Sequence, residues 1–153
     1  RDNYVNILLV SWDSKCYITS MANAGETFFT TVGCMDGRVQ RPVGDFGRQK
    51  FKTIYPDTIT EAGLVGLLAQ EKPDENLLSS IQKKLTISLE KHHSKGVVVH
   101  GHAECAGNPV PDDIHKDNIR ATVLVISRLI NQQVPVVGVF VKKEYDQWVC
   151  EEV

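Results

Sequence analysis

The run Val97-Val98-Val99-His100-Gly101-His102-Ala103-Glu104-Cys105 decides the fold. Val97 to His100 is a short apolar strand of the kind buried on both faces in the middle of a parallel sheet. It runs directly into a His-x-x-Cys pair, His102 and Cys105. Upstream, Asp74 to His93 places Leu77, Ile81, Leu85 and Leu89 at every fourth position, with Leu78 widening the stripe. That period predicts an amphipathic helix, stopped by Gly96 beyond its basic end. Downstream, Pro109-Val110-Pro111 stiffens a loop, and Asp112 is expected to cap a helix reaching about Asn131. Ile119, Val123, Ile126 and Ile130 share one face of it. Val136 to Val141 reads as another buried strand, and Trp148 to Val153 as an antiparallel edge returning beside it.

Toward the N-terminus, Thr27 to Gly33 (TFFTTVG) is β-branched and aromatic, and predicts a strand that ends at Cys34. Lys52 to Tyr55 is expected to form a second short strand. Thr60 to Gln70 reads as a buried helix with Thr60 as its N-cap. The alternation predicts a single α/β domain: a mostly parallel central sheet, helices on both faces and an antiparallel C-terminal edge strand. Residues 1–20 are weakly patterned and read as a leader or extension, with the domain spanning 21–153.

Composition excludes several functions. The 153 residues carry a formal net charge of −2 and no dense Lys/Arg cluster, which argues against a nucleic-acid partner. No stretch approaches the ~20 apolar residues of a membrane span. Asn6 to Val10 is too short for a secretory signal core, so the expected location is cytoplasmic. The four cysteines, Cys16, Cys34, Cys105 and Cys150, are read as reduced, because two of them stand beside other metal-capable groups.

Ligands of a parallel α/β sheet gather beyond the carboxyl ends of its strands. Two predicted strands end there in metal-capable residues: Cys34-Met35-Asp36-Gly37-Arg38 and His102-Ala103-Glu104-Cys105. Brought together, Cys34, His102 and Cys105 form a sulfur, nitrogen, sulfur set that suits Zn2+ and leaves a fourth tetrahedral position open. Asp36 can reach that position, and Arg38 can grip the same carboxylate with its planar fork. The pair reads as a gate. Asp36 on Arg38 leaves the metal open to water; Asp36 on the metal closes it.

These two motifs, in this order and each after a strand, resemble the signature of the β-class carbonic anhydrases. The likeness extends over the element order from about Thr27 to Val153. It departs from the family where Cys105-Ala106-Gly107 replaces the usual Cys-Gly-Gly, and where Ala62-Gly63 is all that remains of an Asn-Ala-Gly. The resemblance implies zinc-dependent, reversible hydration of carbon dioxide to bicarbonate and a proton, by a homodimer or higher homo-oligomer. With two thiolates on the metal, the active form should favour alkaline pH. The apolar run Ala62 to Ala69 adds to the expectation of a partner subunit.

Plainer readings compete at each residue: buried thiols for Cys34 and Cys105, a surface ion pair for Asp36 and Arg38. His92, His93 and His115 are expected on helix surfaces, Glu104 in solvent, and His100 behind the ligands on the face of His102. Cys16 and Cys150 are read as unconnected with the site. Two other functions share the pattern: hydrolysis of carbonyl sulfide or carbon disulfide on the same zinc, and a non-catalytic zinc scaffold or regulator. A purely structural zinc has no need of Asp36 and Arg38.

Overall fold

The structure, a computed structural model, describes residues 25–153. β1 (Phe28–Cys34) leads into α1 (Gly37–Phe51) and then β2 (Tyr55–Glu61). The short α2 (Leu64–Leu68) and the long α3 (Glu75–Glu90) follow, then β3 (Val97–His102) and α4 (Asp112–Leu129). β4 (Val136–Glu144) and β5 (Gln147–Glu152) form a terminal hairpin. The strands pair in the order β2-β1-β3-β4-β5, parallel except for β4 with β5. This is the single α/β domain the sequence predicts. The proposed leader, residues 1–20, and Cys16 lie outside the described residues.

Alternation along the strands divides the core into two layers. Val97 and Val99 join Val32, Leu64, Leu68, Ile81, Leu85, Ile119 and Ile126 on the face covered by α2, α3 and α4. Val98 joins Phe29, Val39, Val43, Val139 and Val141 on the face covered by α1. From the central pair β1 and β3, the chain crosses to β2 on one side and to β4 on the other. The sheet therefore has a switch point between the ends of β1 and β3, where open α/β sheets bind ligands.

Four elements depart from the sequence-based expectation. α1 is absent from it, because Gly37, Pro42, Gly44 and Gly47 weaken any intrinsic helical signal. The helix forms nonetheless, because Asp36 caps it and Val39 and Val43 bury themselves on the sheet. β2 occupies Tyr55–Glu61 rather than Lys52 to Tyr55, and Thr60 is a strand residue rather than an N-cap. The following helix shrinks to α2, entered through Gly63 at a left-handed φ of 63°. Pro111, not Asp112, is the N-cap residue of α4, with Asp112 and Asp113 in its first turn. α3 is capped by Asp74, whose carboxylate accepts from the Leu77 amide at 2.8 Å.

Candidate metal centre

Sγ of Cys34, a ring nitrogen of His102 and Sγ of Cys105 all lie within 4.8 Å of one another at the switch point. Cys34 is the last residue of β1, His102 is the last of β3, and Cys105 follows in the next turn. All three side chains are buried. The loop bearing Cys105 is seated backbone to backbone on the loop after β2. A Cβ at Gly63 would meet the Gly107 carbonyl, and one at Gly107 would lie 2.6 Å from the Gly63 nitrogen. Only glycines fit this contact, so Ala62-Gly63 and Gly107 form one support beneath the site.

The donor chemistry fits a divalent metal. His102 Nδ1 donates to the Ala103 carbonyl at 2.8 Å, which in the neutral ring makes Nε2 the lone-pair nitrogen, free to ligate. That Nε2 is buried and has no hydrogen-bond partner among the described residues. The two Sγ atoms are 3.7 Å apart. Burial pushes the Cys105 thiol up, and Cys34 beside it pushes further, against amides of Gly107 and Asn108 that favour the thiolate. Two adjacent buried thiolates need a cation between them, and an unprotonated imidazole completes a zinc-type set.

Asp36 is the N-cap of α1, and its Oδ1 accepts from the Arg38 amide at 2.9 Å. Arg38 Nε meets Oδ1 at 3.0 Å and Oδ2 at 3.1 Å, and Nη2 meets Oδ2 at 2.7 Å. The Arg38 guanidinium holds the Asp36 carboxyl down to about 2, against some loss of solvation. Asp36 Oδ2 is 3.9 Å from His102 Nε2, so the carboxylate borders the metal-capable cluster while bonded to arginine. Gln40 Nε2 donates to the carbonyls of Cys34 and Asp36, both at 2.9 Å, and fixes the turn that joins them.

The remaining histidines divide. His100 is fully buried against Gly33 and lies outside the cluster; burial brings it down to about 3 and keeps it neutral. His115 is a correction. It is buried beneath Gly101, not on a helix surface, with its ring 6.3 Å from that of His102. Burial, with His102 nearby, lowers it to about 4. His92 is half-buried beyond the end of α3; its Nδ1 pairs with Asp57 at 2.8 Å and its ring stacks on Phe28. His93 is exposed, and so is Glu104. Cys150 packs with the α1 layer, away from the cluster. Sequence reasoning missed Trp148, whose indole meets the His102 ring edge-on at 6.5 Å. Its place depends on the β4–β5 register, which sets it opposite Lys143.

A parallel sheet with a Cys-His-Cys set at its switch point, and an Asp-Arg pair beside it, defines a protein of the β-carbonic anhydrase type. The family model described as "Putative carbonic anhydrase" matches residues 24–153, and the chain belongs to that family. Solved structures share the fold. The carbonic anhydrase from Glaciozyma antarctica is 18% identical, with a TM-score of 0.54 over 86% of this chain and 85% of its own. The carbonic anhydrase from Streptococcus mutans is 16% identical, with a TM-score of 0.51 over 81% and 80%. A tetrameric β-carbonic anhydrase from Sordaria macrospora is 12% identical, with a TM-score of 0.52 over 84% and 81%. No curated protein matches the sequence.

Proposed function

We propose that this protein is a carbonic anhydrase that hydrates carbon dioxide reversibly to bicarbonate and a proton on a zinc held by Cys34, His102 and Cys105. The observation that carries this reading is the Cys-His-Cys cluster with an arginine-bound carboxylate at its edge. A zinc held there supplies Lewis acidity, lowering the pKa of a coordinated water toward neutrality. Three protein ligands leave that water a place. Asp36, ionised at working pH, would accept a hydrogen bond from that water and orient it, while Arg38 Nε and Nη2 hold the carboxylate on the arginine side. Closing the site takes Asp36 away from the Arg38 side chain and from its own helix cap together, so the resting site is open.

The Sordaria macrospora relatives are tetrameric, and this chain is proposed to assemble at least as a homodimer. No described helix is long and apolar enough to cross a membrane. A reducing, cytoplasmic setting keeps Cys34 and Cys105 available as ligands.

Stopped-flow carbon dioxide hydration on metal-quantified protein, with carbonyl sulfide assayed in parallel, tests the reading. The expected result is hydration proportional to zinc content. Turnover of carbonyl sulfide alone would make the protein a hydrolase of such linear molecules, and a fully loaded but inert protein would make it a scaffold.

A further inference from the structure

Arg38 is held from three sides, and Asp36 occupies only one. Its Nε and Nη2 edge grips the Asp36 carboxylate. Nη1 lies 3.6 Å from Glu104 Oε2. The guanidinium lies over the Trp148 indole, with Cζ 4.8 Å from the ring centroid. Trp148 belongs to β5, and Glu104 to the turn between His102 and Cys105, where it takes a left-handed φ of 56°. Trp148 lies outside the pattern that marks the site in sequence, and Glu104 fills an unspecified position within it.

We propose that Trp148 and Glu104 are positioning residues that hold Arg38 in place independently of Asp36, so that the carboxylate moves and the arginine does not. The Arg38 side chain is 45% exposed, so with Asp36 as its sole partner it would be free to follow the carboxylate or swing into solvent. An indole beneath the guanidinium removes that freedom by fixing the plane of the fork. The Glu104 contact is longer than a hydrogen bond and its carboxylate is exposed, so it is the weaker hold. Trp148 sits edge-on to His102 as well, so one side chain sets the spacing between the arginine and the imidazole. The effect on gating rests on the carbonic anhydrase reading; the immobility of Arg38 does not.

The test uses 15N-labelled, zinc-loaded protein, following the Arg38 Nε–H resonance and its exchange with water beside the pH–rate profile. Trp148→Ala is expected to speed Nε–H exchange about two- to fivefold, the scale of one exposed cation–π contact. It should also shift the rise of kcat toward alkaline pH, because a looser Arg38 releases Asp36 more readily. Trp148→Phe should restore both readouts, and Glu104→Gln should move both less, in the same direction. Should Trp148→Ala not fold, Trp148→Leu keeps the bulk, lacks the π face and carries the same expectation. Unchanged Nε–H exchange in a folded Trp148→Ala or Trp148→Leu variant overturns the proposal, even if activity falls. If the wild type does not hydrate carbon dioxide, the catalytic reading fails while the exchange measurement still decides whether Arg38 is held.

Discussion

Asp36 caps α1 and borders the metal-capable cluster with the same carboxylate, so its two tasks compete. Its pKa near 2 lies below that of a free carboxyl. The pair's contribution to stability is therefore present above about pH 4 and is lost only as pH falls toward the folded value. Asp36 does not titrate near neutrality, and activity should rise with pH without an acid limb of its making. Hydration rates against pH, at known zinc content, separate the roles. Asp36→Ala should lose about 10²–10⁴-fold at every pH, the usual loss for a positioned catalytic group. Arg38→Ala should lose most near neutral pH, where the freed carboxylate holds the metal; wild-type activity there would end the gating idea. Both variants should keep stoichiometric zinc, whereas Cys105→Ala and His102→Ala should not, as elemental analysis would show. Full occupancy in either ligand variant would remove that residue from the coordination sphere. Cys34, Asp36, Arg38, His102 and Cys105 were legible because their types and spacing are chemically unusual. Trp148 and His115 were not, since an aromatic on an edge strand and a histidine in a first helical turn have ordinary surface explanations.

α1 and β1 show how close packing replaces local propensity. The glycines and Pro42 that hide α1 from pattern reading lie in a helix held by its cap and by Val39 and Val43 on the sheet. β2 lies elsewhere for a related reason: it is the outermost described strand on its side of the sheet and its residues are largely exposed, so they lack the apolar run that marks β3. At Gly33 the fit is tighter still. An added Cβ would run into the His100 carbonyl and ring on the paired strand. Both obstacles belong to a fully buried residue, so the strands themselves must part. Gly33→Ala should cost about 1–3 kcal/mol, as overpacking does, and should also weaken zinc retention because Cys34 is the next residue. Urea unfolding and zinc titration check this; an unchanged midpoint would mean that β1 can shift on β3 without penalty.

Across the whole molecule, the α/β layering was readable because three apolar strands alternate with two strongly periodic helices. The assembly argument drawn from Ala62 to Ala69 fails: Leu64, Val65 and Leu68 are fully buried within their own chain, where Thr122 of α4 donates to the Val65 carbonyl. The proposed oligomer has a candidate surface in Ile54, Tyr55 and Ile87, exposed at 50%, 44% and 55%. Light scattering at micromolar concentration should show a dimer or a multiple of one; an active monomer would contradict it. Cys34 and Cys105 are 71 residues apart in the chain and 3.7 Å apart in space. A metal held between them acts as a reversible cross-link, and closing a loop of about 70 residues is worth about 4 kcal/mol in the chain-entropy model. Chelation should lower the thermal midpoint, and returning zinc should restore it; an identical midpoint without metal would exclude the cross-link. The folded fraction then tracks the zinc supply of the surroundings, so a zinc-starved cell would lose the protein itself as well as its activity.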